Sequence, residues 1–102
     1  MKKKMLETHY RASRFCRVLG NPTAYQILKE LTKSTRTPTQ LAGEIGLSVK
    51  TISDTLRHLR EVNLVRYTTK DRNKIYSLKD KLVSTALLSI EKYVERMRLT
   101  RW

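Results

Sequence analysis

A small, mostly helical fold with one β-hairpin, in the order α-α-α-α-β-β-α, is what this sequence predicts. Three observations carry it. Apolar residues recur at three- and four-residue steps in five segments, and Gly, Pro, Ser and Thr punctuate them at helix-boundary positions. Between the fourth and fifth segments, residues 64–78 change to two short β-prone runs around a polar tip. The 102 residues leave room for one domain and little more, and no repeat, low-complexity segment or linker divides them.

In the first segment Met5, His9, Ala12, Cys16 and Leu19 step by four, three, four and three. That is one face of a helix over residues 5–19, with Arg11, Arg14 and Arg17 on other faces. Gly20-Asn21-Pro22-Thr23 interrupts the pattern, and Pro22 suits the first turn of a second helix. This helix, residues 23–33, turns Ala24, Ile27, Leu28 and Leu31 inward and ends at Ser34-Thr35-Arg36. Thr37 then reads as an N-cap, with Pro38 at the first helical position and Gln40 completing a capping box. Leu41, Ala42 and Ile45 form the inner face of this short third helix.

Gly46 supplies the positive φ that a sharp helix exit needs. Ser48 caps a fourth helix that buries Ile52, Leu56 and Leu59, and Asn63 ends it in the left-handed conformation. Strands follow at 64–69 and 74–78, joined by the turn-tolerant Lys70-Asp71-Arg72-Asn73. Asp80 caps a long last helix in which Val83, Leu87, Ile90, Val94 and Met97 repeat the four-and-three spacing. Ala86, Leu88 and Tyr93 widen that stripe.

Two short helices joined at Gly46 and followed by a basic hairpin make a winged helix-turn-helix, a device that lays one helix in a DNA groove. The composition agrees: 22 Lys plus Arg stand against 9 Asp plus Glu, a net charge of +13. Such a surface attracts polyanions at long range and releases counterions on contact. Charge alone does not separate nucleic acid from an anionic membrane; the motif does. No apolar run approaches the roughly 18 residues of a membrane span. Met1-Lys2-Lys3-Lys4-Met5 lacks the apolar core of a signal peptide, and one cysteine forms no internal disulfide, so a cytoplasmic location is expected. With no glycine-rich phosphate loop, no nucleophile beside a matched base and no metal-ligand cluster, neither an enzyme nor a cofactor is expected.

Leu19-Gly20-Asn21-Pro22-Thr23, Ile27-Leu28-Lys29-Glu30-Leu31, Leu41-Ala42-Gly43-Glu44-Ile45-Gly46-Leu47-Ser48 and Leu59-Arg60-Glu61-Val62-Asn63-Leu64-Val65 resemble the ArsR-like winged-helix transcription regulators. The match covers about residues 15 to 80, in the right order and with the wing in place. The resemblance implies a dimeric repressor whose terminal helices pair across a two-fold axis, with the helix after Ser48 in the major groove and the hairpin on the flanking backbone. It does not extend to the metal sites of the family. Where many members have a Cys-x-Cys site this chain has Thr37, Pro38 and Thr39, and its last helix offers Glu91 and Glu95 but no histidine. Asp54 and Thr55 also stand where basic or His side chains are common, so the base preference is not carried over.

The candidate DNA-contacting residues follow. Ser48, Lys50, Thr51, Ser53, Asp54 and Arg57 lie on the fourth helix away from its apolar stripe, and Thr37, Thr39 and Gln40 open the third helix. Arg and Lys reach guanine edges or phosphates, while Asp54 either accepts from a cytosine amine or holds Arg57 in place. Arg66, Lys70, Arg72 and Lys74 make the hairpin cationic, either for backbone or minor-groove contact or to blunt an exposed sheet edge. Lys2, Lys3 and Lys4 serve equally as a DNA-seeking arm or a soluble terminus. His58 suits a phosphate contact or a plain surface role. Cys16 is expected as a small buried hydrophobe rather than a redox or metal-binding thiol.

The last helix carries more apolar surface than a small core needs. Folding back onto its own domain and lying on a lipid surface are two readings; pairing with a second copy is preferred. The dimer interface is then Met5, His9, Ala12, Cys16, Val83, Leu87, Ile90, Val94 and Met97. The expected partners are double-stranded DNA and a second copy of the chain, with no membrane; an effector ligand, the operator and the regulated genes are not written in the residues. Two further functions compete with a site-specific regulator: a winged-helix docking module of the transcription machinery, and a nonspecific DNA-coating protein.

Overall fold

Five helices and a two-stranded antiparallel hairpin follow the expected order in a computed structural model that describes residues 5–100, with side chains placed through residue 98. The helices are α1 (Glu7–Leu19), α2 (Pro22–Lys33), α3 (Pro38–Ile45), α4 (Val49–Glu61) and α5 (Lys81–Thr100); the strands are β1 (Val65–Lys70) and β2 (Asn73–Leu78). Lys2, Lys3 and Lys4 lie outside the described residues.

The local signals act as their chemistry requires. Asn21 Oδ1 accepts from the Ala24 N–H at 3.1 Å, so α2 starts at Pro22, one residue earlier than its apolar spacing indicates. Thr37 Oγ1 accepts from the Gln40 N–H at 3.2 Å, and Gln40 Oε1 accepts from the Thr37 N–H at 2.9 Å, closing the capping box. Gly46 ends α3 with φ +84°, and Asn63 takes φ +69° beyond α4. Asp80 Oδ1 receives the Leu82 N–H at 2.8 Å.

One core joins α2, α3, α4, the base of the hairpin and the first turns of α5. Ile27, Leu28, Leu41, Ile52, Leu56, Leu59 and Leu87 are fully buried, with Val65 and Tyr76 packed among them. Every apolar residue assigned inward on α2 and α4 is there. At roughly 1.5–3 kcal/mol per buried aliphatic side chain, this cluster dominates folding.

The structure corrects three expectations. On α1, Phe15, Val18 and Leu19 pack on the core. Met5, His9, Ala12 and Cys16, the face assigned to a dimer, lie exposed in the single chain, so Cys16 is not the buried hydrophobe expected. Val83 and Leu87, read as dimer contacts, lie inside the chain's own core at 8% and 0% exposure, because the first turns of α5 fold back over α2. Finally, β1 and β2 each shift by one residue at the tip. Val65 pairs with Leu78 and Lys70 with Asn73, leaving a two-residue turn, Asp71-Arg72, with φ of +51° and +68°. Positive φ at both central residues matches the right-handed twist of the strands.

Candidate nucleic-acid interface

Helix α4 presents one side to the core and the other to solvent. With Ile52, Leu56 and Leu59 buried, the helical period leaves Lys50, Thr51, Asp54 and Arg57 exposed, while Ser53 and Thr55 are half-buried. Ser48 Oγ accepts from the Thr51 N–H at 3.1 Å and donates to Thr51 Oγ1 at 2.9 Å, so this first turn is held locally. Asp54 bonds Lys50 at 3.1 Å and lies 3.7 Å from Arg57. It therefore holds Arg57, as one of its two readings had it. Exposed pairs of this kind contribute at most about 1 kcal/mol, so both cations remain able to leave for a phosphate.

Thr37 and Gln40 spend their side-chain oxygens on the α3 cap, and Thr39 is exposed beside them. The wing cations divide. Strand alternation puts Arg66 and Lys70 on the outer face of the hairpin, Arg72 at its tip, and Lys74 on the same face as Tyr67 and Tyr76. Lys74 Nζ sits 4.9 Å from the Tyr67 ring centroid, and the Arg60 guanidinium lies 5.1 Å from the same ring. Tyr67 in turn lies 5.3 Å from the ring of Tyr76, whose hydroxyl burial holds above its ordinary pKa.

Arg60, Tyr67 and Arg36 were not singled out from the sequence. Arg60 reaches the wing because α4 ends directly beneath it. Arg36 exchanges two backbone hydrogen bonds with Tyr76, at 3.1 and 2.8 Å, and its Nε donates to Glu44 at 2.9 Å. This single bridge ties the hairpin to the start of α3. An isolated pair has no periodicity, so no sequence signal could have found it; Arg60, one turn beyond Arg57 on a basic helix, was legible. The result is a set of exposed cations on α4 and the hairpin, interspersed with the carboxylates of Asp54 on α4 and Asp71 at the wing tip.

Residues 19–68 match the family model described as a helix-turn-helix domain. No curated protein sequence matches the chain. Among solved structures, Rv0081 of Mycobacterium tuberculosis is similar over 95% of this chain and 98% of its own, with TM-score 0.85 and 22% identity. NolR from Sinorhizobium fredii is similar over 91% and 96%, with TM-score 0.77 and 28% identity. The homodimeric winged helix-turn-helix DNA-binding domain of Mb0332 from Mycobacterium bovis is similar over 97% and 94%, with TM-score 0.77 and 20% identity. Regulators of this kind bind DNA rather than catalyse a reaction, and among the described residues no helix is long and apolar enough to cross a membrane. The motif, the wing and the match together make one conclusion: residues 19–68 are a helix-turn-helix domain, set in the winged helix-turn-helix fold shared with Mb0332, a possible ArsR-family transcriptional regulator.

Proposed function

We propose that the chain is a homodimeric, site-specific repressor that lays α4 in the major groove and rests its wing on the flanking backbone. The observation that carries this reading is the set of exposed cations on the two DNA-reading elements, Lys50 and Arg57 on α4 and Arg66, Lys70 and Arg72 on the hairpin. Lys50, Thr51, Ser53 and Arg57 face the base edges, Thr39 and Ser48 meet the backbone at the helix N-termini, and the wing contacts phosphates or the minor groove. Thr37 and Gln40 act through the cap that orients α3, and Lys74 through Tyr67. Pairing of two copies through exposed Ile90 and Val94 on α5, with Met5, His9, Ala12 and Cys16, sets two α4 helices about 34 Å apart, one turn of duplex.

The test is fluorescence anisotropy on a labelled duplex from upstream of the chain's own gene, at about 0.15 M salt with excess random DNA. Binding that survives competitor by roughly 10³-fold is expected. The double variant Lys50→Ala/Arg57→Ala keeps its fold and loses at least tenfold in affinity, with a salt slope shallower by about 2. Parent-like affinity in that variant removes α4 from the groove, and a chain that binds only random DNA is a coating protein.

A further inference from the structure

Between α1 and α4 lies an open groove of about 730 Å³, and of the candidate DNA contacts only Asp54 lines it. Its two walls are helical faces. Arg11, Arg14, Phe15 and Val18 share one face of α1, and Asp54, Thr55 and His58 share one face of α4, with Val62 at its C-cap and the start of α2 between them. The floor is apolar and the α1 rim is guanidinium, while the α4 side carries the carboxylates of Asp54, already paired with Lys50, and Glu61. Arg11 is engaged by Glu7 at 2.8 Å, but Arg14 and Arg17 form no ion pair with any described side chain. Arg14 lies only over the Tyr10 ring, at 5.9 Å.

We infer that this groove binds a small amphipathic organic anion, an aromatic or aliphatic carboxylate or sulfonate, and that its occupancy weakens DNA binding. The size falls in the range of small-molecule sites, roughly 300–1,000 Å³. Two planar guanidiniums without a carboxylate partner among the described residues offer paired N–H donors to an oxyanion. Phe15, Val18 and Val62 offer a body-sized apolar surface beside them, for which a duplex phosphate has no use. Thr55 and His58 belong to the reading helix, so a ligand held there places negative charge against α4 and lowers its attraction for DNA. The second half of this inference rests on the DNA-binding reading above; the first does not.

The probe is the dye anilinonaphthalene sulfonate, titrated by fluorescence into the full chain. One site per chain is expected, with amide shifts centred on Thr55, His58 and Val62. Arg14→Ala/Arg17→Ala weakens it tenfold or more with an unchanged circular dichroism spectrum, and Arg14→Lys/Arg17→Lys recovers part of the loss. Shifts confined to Ile90 and Val94, or affinity indifferent to the arginines, overturn the site. Saturating dye is expected to lower duplex affinity roughly fivefold, a typical coupling between sites. Unchanged duplex affinity with the groove occupied overturns the regulatory half. A chain that binds no duplex even without dye refutes the DNA reading and leaves the groove result standing.

Discussion

Single residues set the geometry of the reading head, and their backbone states make separable predictions. Gly46 holds φ +84°, and a Cβ built there meets nothing within 4 Å, so Gly46→Ala costs about 1 kcal/mol through conformation alone. Chemical denaturation should show that loss with no change in the denaturant slope. Arg72 is the reverse case. It holds φ +68° at the hairpin tip, where glycine is relaxed, so Arg72→Gly should raise stability by about 0.5–1 kcal/mol while weakening duplex binding. A variant that gains stability and binds DNA equally well would remove the tip from the interface. These positions were legible in the sequence because capping and turn chemistry act over three or four residues. Cys16 was not, since its burial depends on which face of α1 meets the core.

At the scale of elements, α5 is fastened to α2 by a polar clasp. Tyr25 Oη donates to Glu91 at 2.6 Å, and Lys29 Nζ donates to the same carboxylate at 2.9 Å. The Tyr25 hydrogen bond, then that of Lys29, holds the Glu91 carboxyl below its usual pKa, while burial first and the Glu91 bond second push the Tyr25 hydroxyl up to about 12. For a carboxylate lowered by folding, the stabilisation is full above the unfolded value of about 4.5 and disappears as pH falls through the folded one. For a phenol raised by folding, it is full below about 10 and disappears as pH climbs toward 12. Glu91→Gln should therefore cost about 1 kcal/mol at pH 7, discounted for a pair one-third exposed, and its deficit should shrink as pH falls below the usual carboxylate range. Thermal melts of both proteins across pH 3–8 check this; an equal deficit at pH 3 would mean that packing, not charge, is lost. The clasp spans α2 and α5, more than sixty residues apart in the chain. Sequence reading weighed Glu91 only as a metal ligand.

The whole molecule is longer than its core requires. Its radius of gyration is 15.6 Å, against about 13 Å for a compact chain of this length, and it extends 54 × 38 × 22 Å. The excess comes from α1 and α5, whose far ends leave the body and expose Leu6, Tyr10, Leu88, Ile90, Tyr93 and Val94. Apolar groups gathered on two projecting helices fit a self-complementary interface better than a solvated surface. Ile90→Asp/Val94→Asp should sediment as a folded monomer at concentrations where the parent pairs. It should bind a palindromic duplex a hundredfold or more weakly, because linked half-sites no longer reinforce each other. A variant that stays dimeric would move the interface elsewhere, and one that unfolds would place these side chains in the core.

What the sequence determined by itself is everything governed by short spacing: five helices, the Thr37 capping box, the Gly46 exit, the hairpin, and the polar side of α4. Such features rest on local propensity and on a period of 3.6 or 2, both written within a dozen residues. Only the tertiary structure decided which apolar stripe meets which neighbour. It sent Phe15 rather than Cys16 to the core, took Val83 and Leu87 away from the proposed dimer face, and placed Arg60 and Lys74 on Tyr67. Periodicity states that a face is apolar but not what covers it, because that choice depends on how separate helices pack together.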